Sequence, residues 1–98
     1  MGLAMTEFFI TEHVVDRFVE RFGHKFKKEI RKGQSPYFVV KTMLFGATED
    51  ASVMNTRNGF NVMEKYPNKR VTFRRHGNLV FVLVGAGRVR RAVTCYEY

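Results

Sequence analysis

The sequence predicts an α+β fold in which two or three N-terminal helices pack on a three- to four-stranded antiparallel sheet at the C-terminus. Apolar residues recur at helical spacing within residues 11–46, whereas β-branched and aromatic runs fill residues 70–97. The length of 98 residues suits one domain, residues 1–98, and 45% hydrophobic residues suffice for a core. We interpret residues 1–4 as a cloning remnant and give them no functional weight.

The first predicted helix begins at Thr11 as N-cap and ends before Gly23. Five apolar residues between them form one stripe about 140° wide, at 100° per residue. They are Val14, Val15, Phe18, Val19 and Phe22. On the other side, His13, Arg17 and Arg21 are spaced four apart and therefore form a ridge along the helix.

The pattern after residue 23 predicts further helical structure. Residues 24–32 are basic and indicate a short helix that ends at Gly33. Ser35 is a predicted N-cap with Pro36 at the first helical position, and the apolar residues 37–45 then form a helix closed by Gly46. This helix has no polar face, which predicts deep burial. Residues 47–69 are ambiguous, since Asn58–Gly59 predicts a turn and residues 60–64 suit a strand or a helical turn.

Residues 70–97 predict a three-stranded meander. Runs 71–75 and 79–84 are joined by a turn in which Gly77 supplies a positive φ, and residues 85–87 lead into the last strand, residues 88–97. Strict alternation assigns the last strand to two faces. One face carries Val89, Arg91, Val93 and Cys95, and the other carries Arg88, Arg90, Ala92, Thr94 and Tyr96.

Alternation thus aligns Arg90, Thr94 and Tyr96 in one row. A guanidinium, a hydroxyl and a phenol in this order suit a phosphate group. The same pattern also suits an ordinary antiparallel sheet with one solvated face, the helices covering the other.

The charge is concentrated near the C-terminus. The chain has 17 basic and 9 acidic residues, a net charge of +8. Residues 67–98 hold seven basic residues and one acidic residue. This predicts a polyanionic partner, RNA or single-stranded DNA, with Phe73, Phe81 and Tyr96 available for base stacking. The expected phosphate contacts are Arg21, Lys69, Arg70, Arg74, Arg75, Arg88, Arg90 and Arg91.

Other classes of protein are excluded by absent patterns. No run of about 18 apolar residues could span a membrane, and residues 1–10 do not resemble a signal peptide, so we expect a cytoplasmic protein. Cys95 is the only cysteine, which excludes an intrachain disulfide and a cysteine-based zinc site, and we interpret it as a small hydrophobe in a strand. No phosphate-binding glycine-rich loop or HExxH motif is present.

Two segments carry a resemblance to a known family. Residues 10–23, ITEHVVDRFVERFG, resemble the opening helix of the DUF4258 family of small phage- and plasmid-associated proteins, which are grouped with RelE and BrnT toxins and barnase-like nucleases. Residues 79–87 and 91–96 are similar to the closing hairpin of that family. The match covers about 40 residues at the two ends of the chain, and residues 25–69 contribute no motif.

The resemblance implies a RelE- or barnase-like fold and a metal-independent endoribonuclease, or a non-enzymatic relative, without metal or cofactor. It implies that His13 is the general base or acid and that Arg17, with Arg21 or Arg90, holds the phosphate oxygens. Thr94 and Tyr96 then orient the phosphate or share in proton transfer. The chain lacks the lysine-rich helical pattern of RelE, so ribosome dependence is not implied.

Two functional hypotheses remain open. The first is a toxin-like RNase held in check by an acidic antitoxin. The second is a non-catalytic phage or mobile-element protein that binds nucleic acid or inhibits an acidic host protein. Without the family resemblance, His13 is also compatible with an ordinary surface histidine, as are His24 and His76, and Glu20 with an ordinary ion pair.

Overall fold

The computed structural model describes residues 7–27, 35–85 and 88–98, and it confirms the α+β class. The elements in chain order are β1 (Glu7–Ile10), α1 (Glu12–Phe22), α2 (Pro36–Gly46), β2 (Thr48–Glu49), a 3₁₀ helix (Ala51–Asn55), α3 (Arg57–Lys65), β3 (Val71–His76), β4 (Leu79–Val84) and β5 (Val89–Glu97). No helix in these described ranges is long and apolar enough to cross a membrane.

The sheet has five strands in the order β1-β5-β4-β3-β2. Strand β1 is parallel to β5, and the other neighbours are antiparallel. The prediction of a three- to four-stranded antiparallel sheet was therefore wrong in strand count and in direction. The two added strands have four and two residues, too few to show an alternating pattern of their own, and they form by pairing with the outer sides of β5 and β3.

Helices α1 and α2 cover one face of the sheet, which we call the closed face. Both helices begin at the predicted caps, because the hydroxyls of Thr11 and Ser35 accept hydrogen bonds from the backbone N–H groups of Val14 and Phe38. The core under the helices joins Val14, Phe18, Phe22, Val39, Val40 and Leu44 to Leu79, Phe81 and Leu83 of β4.

The prediction that α2 is deeply buried was wrong. Its inner side buries Val39, Val40 and Leu44, whereas Tyr37, Phe38 and Phe45 are about half exposed. One side of the helix is buried and the other is exposed, although both sides are apolar in sequence. Hydrophobicity alone could therefore not predict which side is buried.

The 3₁₀ helix and α3 pack on the opposite face, which corrects the expectation that this face is open. Val53 of the 3₁₀ helix is buried against Phe73, Val80 and Val82. The predicted turn at Asn58–Gly59 was wrong, because both residues lie in α3. Gly59 is required for another reason: a Cβ there would overlap the carbonyl oxygen of Val53 and would lie 2.9 Å from Cα of Met54.

An irregularity in β5 overturns the predicted alternation. The pairing with β4 shifts between Val82 and Leu83, so that Thr94 lies opposite Val82 and Ala92 opposite Leu83. Ala92 and Cys95, three residues apart, consequently both belong to the core of the closed face. The extra residue of this β-bulge reverses the direction of every side chain that follows it.

The remaining predictions concern turns and segment ends. The turn at Gly77 is confirmed, with φ of 61°, and Gly85 has φ of 132°. Gly23 adopts right-handed helical geometry at the end of α1, and the chain continues in turns. The predictions for residues 1–4, for most of the helix over residues 24–32, for Gly33 and for residues 86–87 lie outside the described residues.

Candidate functional site

Helix α1, helix α3 and the end of β5 enclose a groove with a volume of about 410 Å³, which we call the basic groove. It brings together His13, Arg17 and Arg21 of α1 with Thr94 and Tyr96 of β5. The two sets of residues are about 80 positions apart in the chain. The family resemblance implies a joint role for His13, Arg17, Thr94 and Tyr96, with Arg21 or Arg90 as the second arginine. Helix α3 completes the lining with Asn58, Asn61, Val62 and Lys65, and Tyr66 follows at its end.

The length of β1 explains why α1 reaches the end of β5. Strand β1 pairs with β5 only as far as Ala92, whose carbonyl oxygen accepts a 2.8 Å hydrogen bond from the Thr11 hydroxyl. The chain then turns into α1, which runs beside the part of β5 that β1 leaves unpaired. Arg21 fixes the far end of the helix, because its Nη1 donates to the carbonyl oxygen of Cys95 at 2.8 Å. The ridge of α1 is therefore held against Thr94 and Tyr96.

His13 and Arg17 are in direct contact. Nε of Arg17 donates to Nε2 of His13 at 3.4 Å, and Nη1 of Arg17 lies 3.2 Å from a carboxylate oxygen of Glu20. The contact places a guanidinium directly against Nε2 of His13, so a proton acceptor and a cation lie side by side.

Tyr96 places a neutral phenol in the groove. Burial raises the pKa of Tyr96 above its ordinary value of 10.0, and a contact with the Thr56 side chain acts in the opposite direction. The hydroxyl of Tyr96 is buried without a geometrically acceptable hydrogen-bond partner among the described residues. The Thr56 hydroxyl is already engaged, since it donates to Val53 O at 2.6 Å and accepts from Gly59 N. Tyr96 therefore retains a proton and an unused donor.

Sequence reasoning missed the residues of α3. Asn58, Asn61 and Lys65 follow helical spacing and line one wall of the basic groove, but their segment was not predicted as a helix. Among the described residues, the lining includes two arginines and a lysine and has no acidic side chain. A concave site of this charge attracts anions.

Arg90 lies outside the basic groove. Its Nη1 donates to Thr72 Oγ1 at 3.2 Å, and Thr72 pairs with Leu83 of the closed face. The bulge separates Arg90 from Thr94 and Tyr96, so the predicted row of three does not exist. Of the two arginines considered as partners of Arg17, only Arg21 lines the groove.

Two predicted phosphate contacts are used by the fold. Arg74 donates to the carbonyl oxygens of Leu44 and Ala47 at the end of α2, and its guanidinium lies over the ring of Phe8. Arg75 donates to Gly77 O and forms an ion pair of 3.5 Å with Asp50, while its guanidinium lies over the ring of Tyr98.

The predicted stacking residues are also corrected. Phe73 is 2% exposed and Phe81 is fully buried, so neither ring can meet a base. Among the other predicted contacts, Lys69 and Arg91 line a second groove, and Arg70 and Arg88 are exposed.

Cys95 is fully buried, as its interpretation as a small hydrophobe predicts. Burial raises the pKa of the Cys95 thiol to about 12, although the charges of Arg21 and Arg17 act in the opposite direction. A thiol of this kind is protonated at neutral pH and is not a nucleophile.

Residues that could hold a metal ion do not come together in the described part of the chain, where no three His, Cys, Asp or Glu side chains form a suitable group. No known family, no curated protein and no solved structure matches the chain significantly. Function is therefore argued from the grooves themselves.

Proposed function

We propose that the chain binds RNA in the basic groove and cleaves it as a metal-independent endoribonuclease. The observation that carries the proposal is the convergence of His13, two arginines, Thr94 and Tyr96 in one groove, whose lining has no acidic residue in the described part of the chain. These groups supply a base, cations and hydrogen-bond donors, which cleavage by the 2′-hydroxyl requires. The proposal agrees with the function that the DUF4258 resemblance implies.

The proposed reaction begins when Arg17 leaves Nε2 of His13 to bind the phosphate, and this nitrogen takes the proton of a ribose 2′-hydroxyl. The 2′-oxygen forms a bond to the adjacent phosphorus, and the bond from phosphorus to the 5′-oxygen breaks. The proton held by His13 then passes to the departing 5′-oxygen. The products are a 2′,3′-cyclic phosphate and a 5′-hydroxyl, and no other reactant is needed.

The remaining groups stabilise the charge on the phosphate oxygens. Arg17 and Arg21 hold the non-bridging oxygens, since guanidinium suits an anion with two oxygens. Arg21 is oriented in advance by its hydrogen bond to Cys95 O. The ring of Tyr96 lines the groove beside Thr94, and Lys65 adds a positive charge from the opposite wall.

The test uses an oligonucleotide with a single ribonucleotide in a DNA background, incubated with the purified protein in EDTA. We expect cleavage after the ribonucleotide and none of the all-DNA oligonucleotide. His13→Ala should lower the rate by about 10²- to 10⁴-fold. The matched control is His24→Ala, because His24 is exposed and does not line the groove. Equal rates for both variants would contradict the assignment of His13.

An acidic protein partner is part of the proposal, because an antitoxin-like chain would meet the same positively charged groove. Expression of the wild type should arrest growth, and His13→Ala should abolish the arrest. Co-expression of an acidic protein that binds the groove should have the same effect as the substitution.

The second candidate is a binding protein without catalysis. It is favoured by the contact from Arg17 to Nε2 of His13, which occupies the nitrogen that a base would use. This function predicts tight, salt-dependent RNA binding while the RNA remains intact after long incubation.

A further inference from the structure

The described helices cover only half of the face that carries α3. The 3₁₀ helix and α3 lie over β3 and β4, where Val53 meets Val80 and Val82. Over β1 and the first half of β5, the sheet forms the floor of a second groove of about 500 Å³. Phe9 is 58% exposed there and Val89 is 55% exposed.

The second groove combines apolar and basic surface. Phe9, Val89 and Val93 lie among its apolar residues, and Lys69 and Arg91 supply positive charge. The guanidinium carbon of Arg91 lies 5.6 Å from the centre of the Phe9 ring. None of the described residues that line this groove is acidic. An exposed aromatic ring beside two cations is the arrangement with which proteins bind the bases and phosphates of single strands.

The two grooves are neighbours. Tyr66, which follows the end of α3, lines both of them. A polymer that places one phosphate in the basic groove can therefore extend past Tyr66 onto Phe9. Base pairs of a duplex are stacked on each other and offer no free faces, so this surface suits a single strand.

We propose that the second groove is a base-binding subsite for single-stranded RNA. The base next to the phosphate in the basic groove stacks on Phe9, Tyr66 forms the wall between the two positions, and Lys69 and Arg91 hold the neighbouring phosphates. The subsite rests on the proposed function, because it takes the basic groove as the position of the reacting phosphate.

The test measures binding separately from cleavage. A fluorescent 2′-O-methyl RNA of about 12 nucleotides lacks the nucleophile, and its dissociation constant is measured by anisotropy beside that of the same sequence as a duplex. Phe9→Ala should weaken binding of the single strand about fivefold or more. Phe9→Leu, which keeps the apolar surface without the ring, should also weaken it. Phe38→Ala is the matched control, since Phe38 is 53% exposed on α2, and should bind as the wild type does.

Salt dependence gives a second measurement. Arg91→Gln should lower the slope of log Kd against log salt by about 0.7, the value for one phosphate contact on a single strand. Lys41→Gln, an exposed lysine of α2 outside both grooves, should leave the slope unchanged.

The outcomes separate the two proposals. If the wild type cleaves RNA but Phe9→Ala and Phe38→Ala bind equally well, the subsite is wrong and the proposed function stands. If the wild type does not cleave RNA but binds it in a Phe9-dependent way, the catalytic proposal is wrong and the subsite belongs to a binding protein. Tighter binding of the duplex than of the single strand would overturn the subsite.

Discussion

The two faces of the sheet use their arginines in different ways. On the closed face, Arg74 donates to carbonyl oxygens at the end of α2, and Arg90 donates to Thr72. Arg91 lies on the face that carries α3 and lines the second groove, and Arg17 of α1 lines the basic groove. A count of charges in the sequence treats these residues alike. Their difference arises from the acceptors that the fold places within reach: Arg74 and Arg90 donate to groups on other elements, whereas Arg17 donates, among the described residues, only to His13 and Glu20 of its own helix.

The aromatic residues show the same contrast. Phe81 of β4 is fully buried in the core of the closed face, whereas Phe9 of β1 is exposed in the second groove. Both belong to apolar runs, but β4 is central and β1 is at the edge of the sheet. Position in the sheet therefore decides which rings form the core and which remain available for a ligand.

The largest effect is expected from a substitution that displaces α3, which forms one wall of the basic groove. A Cβ at Gly59 would lie 2.8 Å from the carbonyl carbon of Val53, so Gly59→Ala forces α3 away from the 3₁₀ helix. We expect the free energy of unfolding to fall by about 3 kcal/mol, measured by chemical denaturation. RNA binding should weaken as well.

The control for this prediction is a glycine of the closed-face helices. Gly46 ends α2, and the nearest atom to its Cβ would be a ring carbon of His76 at 3.8 Å. Gly46→Ala should leave stability within about 1 kcal/mol of the wild type, on the stabilising side. Equal losses at Gly46 and Gly59 would contradict the close packing assigned to α3.

Two arginine substitutions test whether the arginine on each face contributes to stability or to RNA binding. Arg74→Met should lower the free energy of unfolding by about 2 kcal/mol, because it removes charged hydrogen bonds to two carbonyl oxygens. It should leave the salt dependence of RNA binding unchanged. Arg91→Met should change the free energy of unfolding by less than about 0.5 kcal/mol and should weaken RNA binding. Chemical denaturation and fluorescence anisotropy are measured on both variants. Equal effects of the two substitutions on stability and on RNA binding would contradict the two roles.

Local chemistry made part of this fold predictable. The hydroxyls of Thr11 and Ser35 each satisfy an N–H group of the first helical turn, and Gly77 adopts a positive φ that a tight hairpin requires. These signals depend on neighbouring residues alone. Strands β1 and β2 have no such signal, because a segment of four or two residues becomes a strand only by its pairing with β5 or β3.

Local spacing predicts only one part of the candidate site, the ridge on α1, and its association with the last strand was implied by the family resemblance. The ridge of His13, Arg17 and Arg21 follows from helical spacing, and the structure brings it beside Thr94 and Tyr96. Arg90 was misplaced because one extra residue in β5 reverses the alternation, and a bulge depends on how the partner strand packs. The wall formed by Lys65 was missed because α3 depends on its contact with the 3₁₀ helix.

Cys95 and Tyr96 are neighbours in β5, but Cys95 lies in the core of the closed face and Tyr96 lines the basic groove. The pH dependence of stability at alkaline pH tests the burial of Cys95, with a smaller expected effect than the substitutions above. Burial raises the pKa of the Cys95 thiol from 9.0 to about 12. Between these values the unfolded chain has lost the thiol proton while the folded chain retains it, so the free energy of unfolding falls as the pH rises. We expect the free energy of unfolding to fall by about 1 kcal/mol from pH 9.5 to pH 10.5.

Two variants serve as controls for this slope. Cys95→Ala should reduce it, whereas Tyr96→Phe, which removes a phenol whose pKa is also raised, should leave the larger part of it. A slope in Cys95→Ala as steep as that of the wild type would show that the thiol is not desolvated as the structure has it.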